Sequence, residues 1–349
     1  MKKTLPVLLL FAALVYLLPL APFLAARRDS PSAAPAESAS PLPASSFGAP
    51  SAGSGAGPAP LAAEEPLLIL DEVTGQVMTV PVADFVLGAV AAEMPLTWPD
   101  EALRAQAVAS HSYALAVKAQ VLADDSPDPA LQGAYFSAAP SLRMGFLTDE
   151  MMRLAWGTEY EASLARLKSA VEPVLEQILT YQGAPALACY HACSNGATLA
   201  AEDVWGAPVP YLTGVDSAWD LENPELEQAI TLTSQEVYEA LSQNFAGMDL
   251  SVPPDQWFGA FQRSGAGYVR TVQIGGVTCK GLDVRTALGL RSTDFTITWQ
   301  GTAFSVTTRG YGHGVGLSQY GARAMAEQGS TYDQILAHYY PGTQLGAAA

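Results

Sequence analysis

The segment from Asp29 to Glu65 sets the first limit on any fold, because it is built from Ala, Pro, Ser and Gly with almost no large side chain. Such a stretch cannot bury enough apolar surface to offset the entropy of ordering it, so residues 29–65 read as a disordered linker. Whatever folds must lie beyond it, over 66–345, with room for one large domain or two modest ones. Ahead of the linker, Lys2 and Lys3 precede an apolar run from Leu5 to Ala26, and Arg27 and Arg28 follow. The run has the length of a membrane-spanning helix and exceeds a usual signal-peptide core. Residues 1–28 are therefore expected to be an N-terminal membrane anchor or signal. Pro19 and Pro22 weaken the second half of the run, and the small residues Ala25 and Ala26 keep a cleavage site open as the alternative.

The formal net charge is −17, which argues against nucleic acid as a partner, since a phosphate backbone needs a basic face. Three cysteines are too few for a disulfide-built scaffold.

Beyond the linker, "LLILDEVTGQVMTVP" predicts two strands joined at Thr74–Gly75. "VADFVLGAVAAE" predicts a helix that must stop before Pro95. "PDEALRAQAVASHSYALAVKAQVLA" predicts a second helix, with Pro99, Asp100 and Glu101 in its first turn. Residues 124–158 read as irregular. A helix follows from Glu159, then two strands in "EQILTYQG" and "PALACYHAC" around Gly183–Ala184–Pro185. A capped helix at Thr233 or Ser234, short strands from Gly265 to Thr308, and two helices after Leu317 complete the pattern. Together these predict an α+β fold with a mainly antiparallel sheet.

Three places carry chemistry. Val82, Val86, Ala89, Val90 and Glu93 share one helix face, so Glu93 is a carboxylate on an apolar face beside a helix break. Burial there would raise its pKa and make it a proton donor near neutral pH, whereas the plain alternative is a surface carboxylate or a salt bridge to Arg104. In "RGYGHGVGLSQYGARA" four glycines alternate with Tyr311 and His313, and a helix follows. Glycines let a ligand approach the backbone, so Tyr311, His313, Ser318, Gln319 and Tyr320 are candidate substrate-binding residues; a glycine-rich turn with a structural histidine is the alternative. In "CYHACSNG" an extended chain would project Cys189, His191 and Cys193 from one face. Their types suit zinc, provided the strand bends; the alternative is buried, inert thiols.

These segments resemble the stage II sporulation protein D family of cell-wall enzymes. The resemblance is carried by "VAAEMP" with "EALRAQAVASHSYAL", "LTYQGAPALACYHACSNG", "EDVWG", "PYLTGVDSAWD", "GLDVRTALGLRS", "RGYGHGVGLSQYGARAMA" and "ILAHYYPGT", spread over most of 66–343. It implies a lytic transglycosylase that cuts the bond between muramic acid and glucosamine in peptidoglycan, leaving a 1,6-anhydro end, with Glu93 as the catalytic acid. It further implies peptide-stripped glycan strands as substrate and a cell-wall amidase of the engulfment machinery as partner. The implied location is the cell membrane, one N-terminal span with the catalytic domain outside. Some family members bind zinc through cysteine and histidine, which makes zinc a possible cofactor at Cys189, His191 and Cys193, with Cys279 an alternative ligand. Two departures stand out. His111 in "VASHSYA", a candidate substrate-binding residue, puts a titratable group where members usually carry arginine's permanent charge, and "YHACSNG" stands where "YHSTSGG" is common. Rival expectations are a non-catalytic wall-binding amidase enhancer, a zinc amidase and a plain glycan hydrolase.

Overall fold

A computed structural model describes residues 65–348. The expected anchor over 1–28 and the linker over 29–65, apart from Glu65, lie outside the described residues.

The fold begins with the expected hairpin. Strands β1 (Leu67–Asp71) and β2 (Gln76–Val80) pair antiparallel from Leu67–Val80 to Asp71–Gln76. Gly75 turns the chain at φ +69°, a conformation that costs glycine little. Helix α1 (Val82–Glu93) runs as its apolar periodicity predicts. It ends because Met94, which precedes Pro95, takes an extended conformation (φ −129°, ψ 139°). Helix α2 (Asp100–Ala123) starts one residue later than expected, with Pro99 just outside as its N-cap and Asp100 and Glu101 in the first turn. Alanines and valines on several faces of α2 are buried, so this helix is the central beam of the larger core.

The stretch read as irregular contains, besides short 3-10 turns, one strand and one α-helix. Strand β3 (Phe136–Ala138) adds to β1 in parallel, and helix α3 (Asp149–Trp156) is capped by Thr148. Helix α4 (Tyr160–Val171) leads to β4 (Gln177–Tyr181), which pairs with the short β5 (Ala184–Pro185). The next strand is far shorter than predicted: β6 covers only Tyr190–His191. A short helix α5 (Ala201–Trp205) follows.

Residues from β7 (Glu227–Thr233) to β12 (Ala303–Arg309) build a second hydrophobic core around Val237, Leu241, Trp257, Phe295 and Phe304. Helix α6 (Ser234–Asn244) opens with a capping box between Thr233 and Glu236. Strands β8 (Phe258–Arg263), β9 (Val269–Ile274) and β10 (Val277–Lys280) form one antiparallel sheet. Helix α7 (Gly281–Ala287) leads to β11 (Asp294–Trp299), which joins β12 and β7 in another. The chain then returns to the first core through β13 (Leu317–Ser318), α8 (Gln319–Glu327), α9 (Tyr332–Tyr339) and β14 (Gln344–Ala347), the last pairing with β4. The architecture is α+β with several small, mostly antiparallel sheets.

Candidate active site

Glu93 is the last residue of α1, and it is completely buried. Gln319 donates from Nε2 to its Oε2 at 3.0 Å, while Oε1 has no hydrogen-bond partner. Removal from water favours the neutral acid and pushes its pKa up to about 8; the Gln319 bond, which favours the carboxylate, opposes this only in part. The acid therefore holds its proton at neutral pH. The expected alternative, an ion pair with Arg104, does not form. Arg104 pairs with Glu101 and lies 3.7 Å from Asp100, and it donates to the Ala170 carbonyl at 3.1 Å.

Gln319 comes to Glu93 by a chain of local causes. Strand β13 pairs in parallel with β6, Leu317 opposite Tyr190 and Ser318 opposite His191. Gly316 makes that approach possible: at φ +72°, a Cβ on it would lie 2.0 Å from the Cys189 carbonyl oxygen. Ser318 then caps α8, its Oγ accepting from the Gly321 amide at 3.3 Å. Gln319 follows at the start of the helix and points back into the core. Its Nε2 also reaches Gln106 Oε1 at 3.3 Å, and Gln106 Nε2 donates to Ser110 Oγ at 3.0 Å. Two turns of α2 thus grip the amide that grips the acid.

The other predicted site residues divide. Tyr320, next to Gln319, packs edge-on to Trp98 with ring centroids 5.2 Å apart, and Arg323 lies over the same indole at 5.4 Å. Trp98 sits in the turn that follows Glu93, so this aromatic pair joins the two chain segments that meet at the acid. His313 is buried with its ring 5.7 Å from His191 and 5.5 Å from Trp205. Its Nδ1 accepts from the Val315 amide. Burial and the neighbouring imidazole push its pKa well below the usual range, and burial takes His191 down to about 4. Tyr311 exchanges backbone hydrogen bonds with Cys193 and carries the Arg291 guanidinium over its ring at 4.5 Å. The glycine-rich loop is thus spent largely on close packing against residues 189–195. His111 is buried on another face of α2, toward the backbone of Leu175 and Gln177, and is not among the groups that touch Glu93.

The zinc set is not gathered. Among the described residues, no group of three or more His, Cys, Asp or Glu could hold a metal ion. An extended strand would have to bend to bring the three side chains to one ion, and β6 covers only Tyr190–His191. Cys189 joins the apolar core, where burial pushes its thiol up to about 12. Cys193 receives a hydrogen bond from Asn223 Nδ2 at 3.3 Å, and burial raises its pKa also. Cys279 lies in the second core. Cys189 and Cys279 thus lie in different cores.

Asp220 closes the "PYLTGVDSAWD" segment, but the sequence assigns it no role. Asp220 is fully buried and accepts hydrogen bonds from Ser194, Ser217 and Ser318. Its donors come from remote segments, so no local pattern marks it. Gln106 and Ser110 escaped for a related reason, since polar residues on a nearly all-apolar helix give no sign of what they face.

A family model described as "SpoIID: Stage II sporulation protein" matches residues 71–181. The chain is 36% identical over 273 residues to stage II sporulation protein D of Bacillus subtilis (strain 168), a match covering 78% of this chain and 76% of that protein. It is 34% identical over 273 residues to the protein of the same description from Bacillus amyloliquefaciens, with the same coverage of each. It is also 25% identical over 315 residues to a Bacillus subtilis protein described as an amidase enhancer, covering 74% of this chain and 40% of that one.

Proposed function

This chain belongs to the stage II sporulation protein D family, and from that premise we propose that it is a lytic transglycosylase cutting peptidoglycan glycan strands, with Glu93 as its acid and base. The observation that carries the reading is a single fully buried carboxyl held by the Gln319 amide, whose burial pushes its pKa up to about 8. In the proposed reaction Glu93 gives that proton to the oxygen linking muramic acid to glucosamine, and the glycosidic bond breaks. The carboxylate left behind takes the proton of the muramic acid C6 hydroxyl. The C6 oxygen bonds to C1, and the 1,6-anhydro ring closes. No water is consumed, and Glu93 ends as it began. One carboxyl suffices for this sequence, whereas hydrolysis generally uses two. No second carboxylate contributes to the shift at Glu93. Gln319 suits both halves, since its amide steadies the carboxylate formed midway.

Glu93 has no exposed surface. A glycan reaches it in this reading only after the Trp98 turn and Tyr320 part, and a saccharide ring then takes the place of one aromatic face. The same sealing favours a second reading, a wall-binding module that assists an amidase, as the description of one relative suggests. We further propose that residues 1–28 anchor the chain in the cell membrane with the domain outside, and that peptide-stripped glycan and a wall amidase are its partners.

Peptide-free glycan strands digested by the full chain and by its Glu93→Gln variant test the proposal, with products weighed by mass spectrometry. Anhydro-ended fragments absent from the variant are expected. No cleavage by the unaltered chain, together with faster cleavage by an added amidase, would favour the second reading.

A further inference from the structure

Asp220 lies between Ser217 and β7, buried from solvent, and its two oxygens have separate tasks. Oδ2 accepts from the Ser194 amide at 3.0 Å, the Ser194 hydroxyl at 2.5 Å and the Ser217 hydroxyl at 2.9 Å. Oδ1 accepts from the Ser318 hydroxyl at 2.8 Å. With its proton committed to Asp220, the Ser318 oxygen presents its lone pairs to the α8 terminus and receives the Gly321 amide. The residue after Ser318 is Gln319, which donates to Glu93. A neutral asparagine could not do the same. Its amide nitrogen would face either the three donors at Oδ2 or the Ser318 hydroxyl, and in the latter case the serine proton would be turned toward the helix end. The arrangement calls for an acceptor at both oxygens.

Resting on the reading of Glu93 as the reacting acid, we propose that Asp220 is a positioning residue for it: by fixing the Ser318 hydroxyl it sets the first turn of α8 and holds the Gln319 amide on Glu93. Gln106 fixes the far end of the Gln319 side chain, and Asp220 fixes the backbone that carries it. The acid, the amide, the cap and the buried carboxylate form one line from α1 through α8 to the turn before β7. The polar burial around Asp220 thereby acquires a task at the acid.

The test reads Glu93 directly. In the full chain labelled with carbon-13 at the glutamate carboxyls, the Glu93 signal is assigned by its loss in Glu93→Gln and followed through a pH titration. Gln319→Leu is expected to raise the Glu93 midpoint by about one pKa unit, because the lost hydrogen bond favoured the charged form. Asp220→Asn and Ser318→Ala are expected to raise it too, and Asp220→Asn added to Gln319→Leu should raise it no further. The direction separates the possibilities. Loss of a buried negative charge by itself would lower the midpoint, and a purely structural role would leave it unchanged in the folded protein; either result overturns the proposal. If Asp220→Asn does not fold, Ser318→Ala, neutral for neutral and smaller, decides alone.

Neighbouring groups stay out of the way. Tyr190 near the acid, and Cys193, Tyr268 and Tyr339 near Asp220, are all held protonated by burial, and His191 and His313 are held neutral. The titration needs no turnover. A chain that cuts no glycan would therefore defeat the transglycosylase reading while the positioning result stood or fell by itself.

Discussion

At the scale of single residues, Glu93 ties stability to function through one proton. Its folded pKa, about 8, lies above the ordinary carboxyl value of 4.5. The folded state therefore binds the proton more tightly than the unfolded chain does. The stability this contributes is fully present below pH 4.5, fades as pH rises, and is lost once pH passes about 8. Each unit of difference is worth about 1.4 kcal/mol. Glu93→Gln keeps the shape and a partner for Gln319 but cannot ionise. It should melt at or above the temperature of the unaltered chain at pH 9, with less loss of Tm between pH 5 and 9; calorimetry at several pH values checks this. A variant that melts lower at every pH would mean that the carboxyl is not strained by burial. Activity should follow the same proton, with an alkaline limb near pH 8 and a loss on the order of 100-fold or more in Glu93→Gln.

At the scale of elements, the site depends on two chain reversals of different legibility. The end of α1 could be read directly, because Pro95 forbids helix at Met94 and so leaves Glu93 at the terminus. The apolar face around it announced burial. The pairing of β6 with β13 could not be read: a parallel bridge of two residues has no periodicity, and "PALACYHAC" looks like a longer strand. The glycines of the "GYGHGVG" loop signal close approach, and Gly310 and Gly316 lie against the backbone of Cys193 and Cys189. Gly316→Ala tests the pairing. It combines a left-handed backbone with a Cβ 2.0 Å from the Cys189 carbonyl, so it should cost about 3 kcal/mol or more in urea unfolding and weaken glycan cleavage as well. Unchanged stability would show that β13 does not lie on β6 as described.

At the scale of the whole molecule, the α+β class was legible because hairpins and amphipathic helices alternate with clear turn residues. The division of labour between two cores was not, since it rests on contacts between distant segments. The first core takes both ends of the described chain, and the second is an insertion from about β7 to β12. Tyr268, just before β9, joins the insertion to the first core: its hydroxyl donates to the Ala197 carbonyl at 3.1 Å and accepts the Asn195 amide at 3.0 Å. Tyr268→Phe strands both groups and should cost about 1–3 kcal/mol, measured by chemical denaturation. A neutral result would mean that the two cores meet without it. Asp220 draws on the same principle, because its donors belong to segments that only the finished fold brings together.

The measurement that bears most directly on this account is the mass of glycan products made from peptide-free strands between pH 5 and 9, by the full chain and by Glu93→Gln. The account predicts 1,6-anhydro ends, a fall in rate near pH 8, and no products from the variant. Reducing ends in place of anhydro ends, or undiminished cleavage by Glu93→Gln, would contradict it.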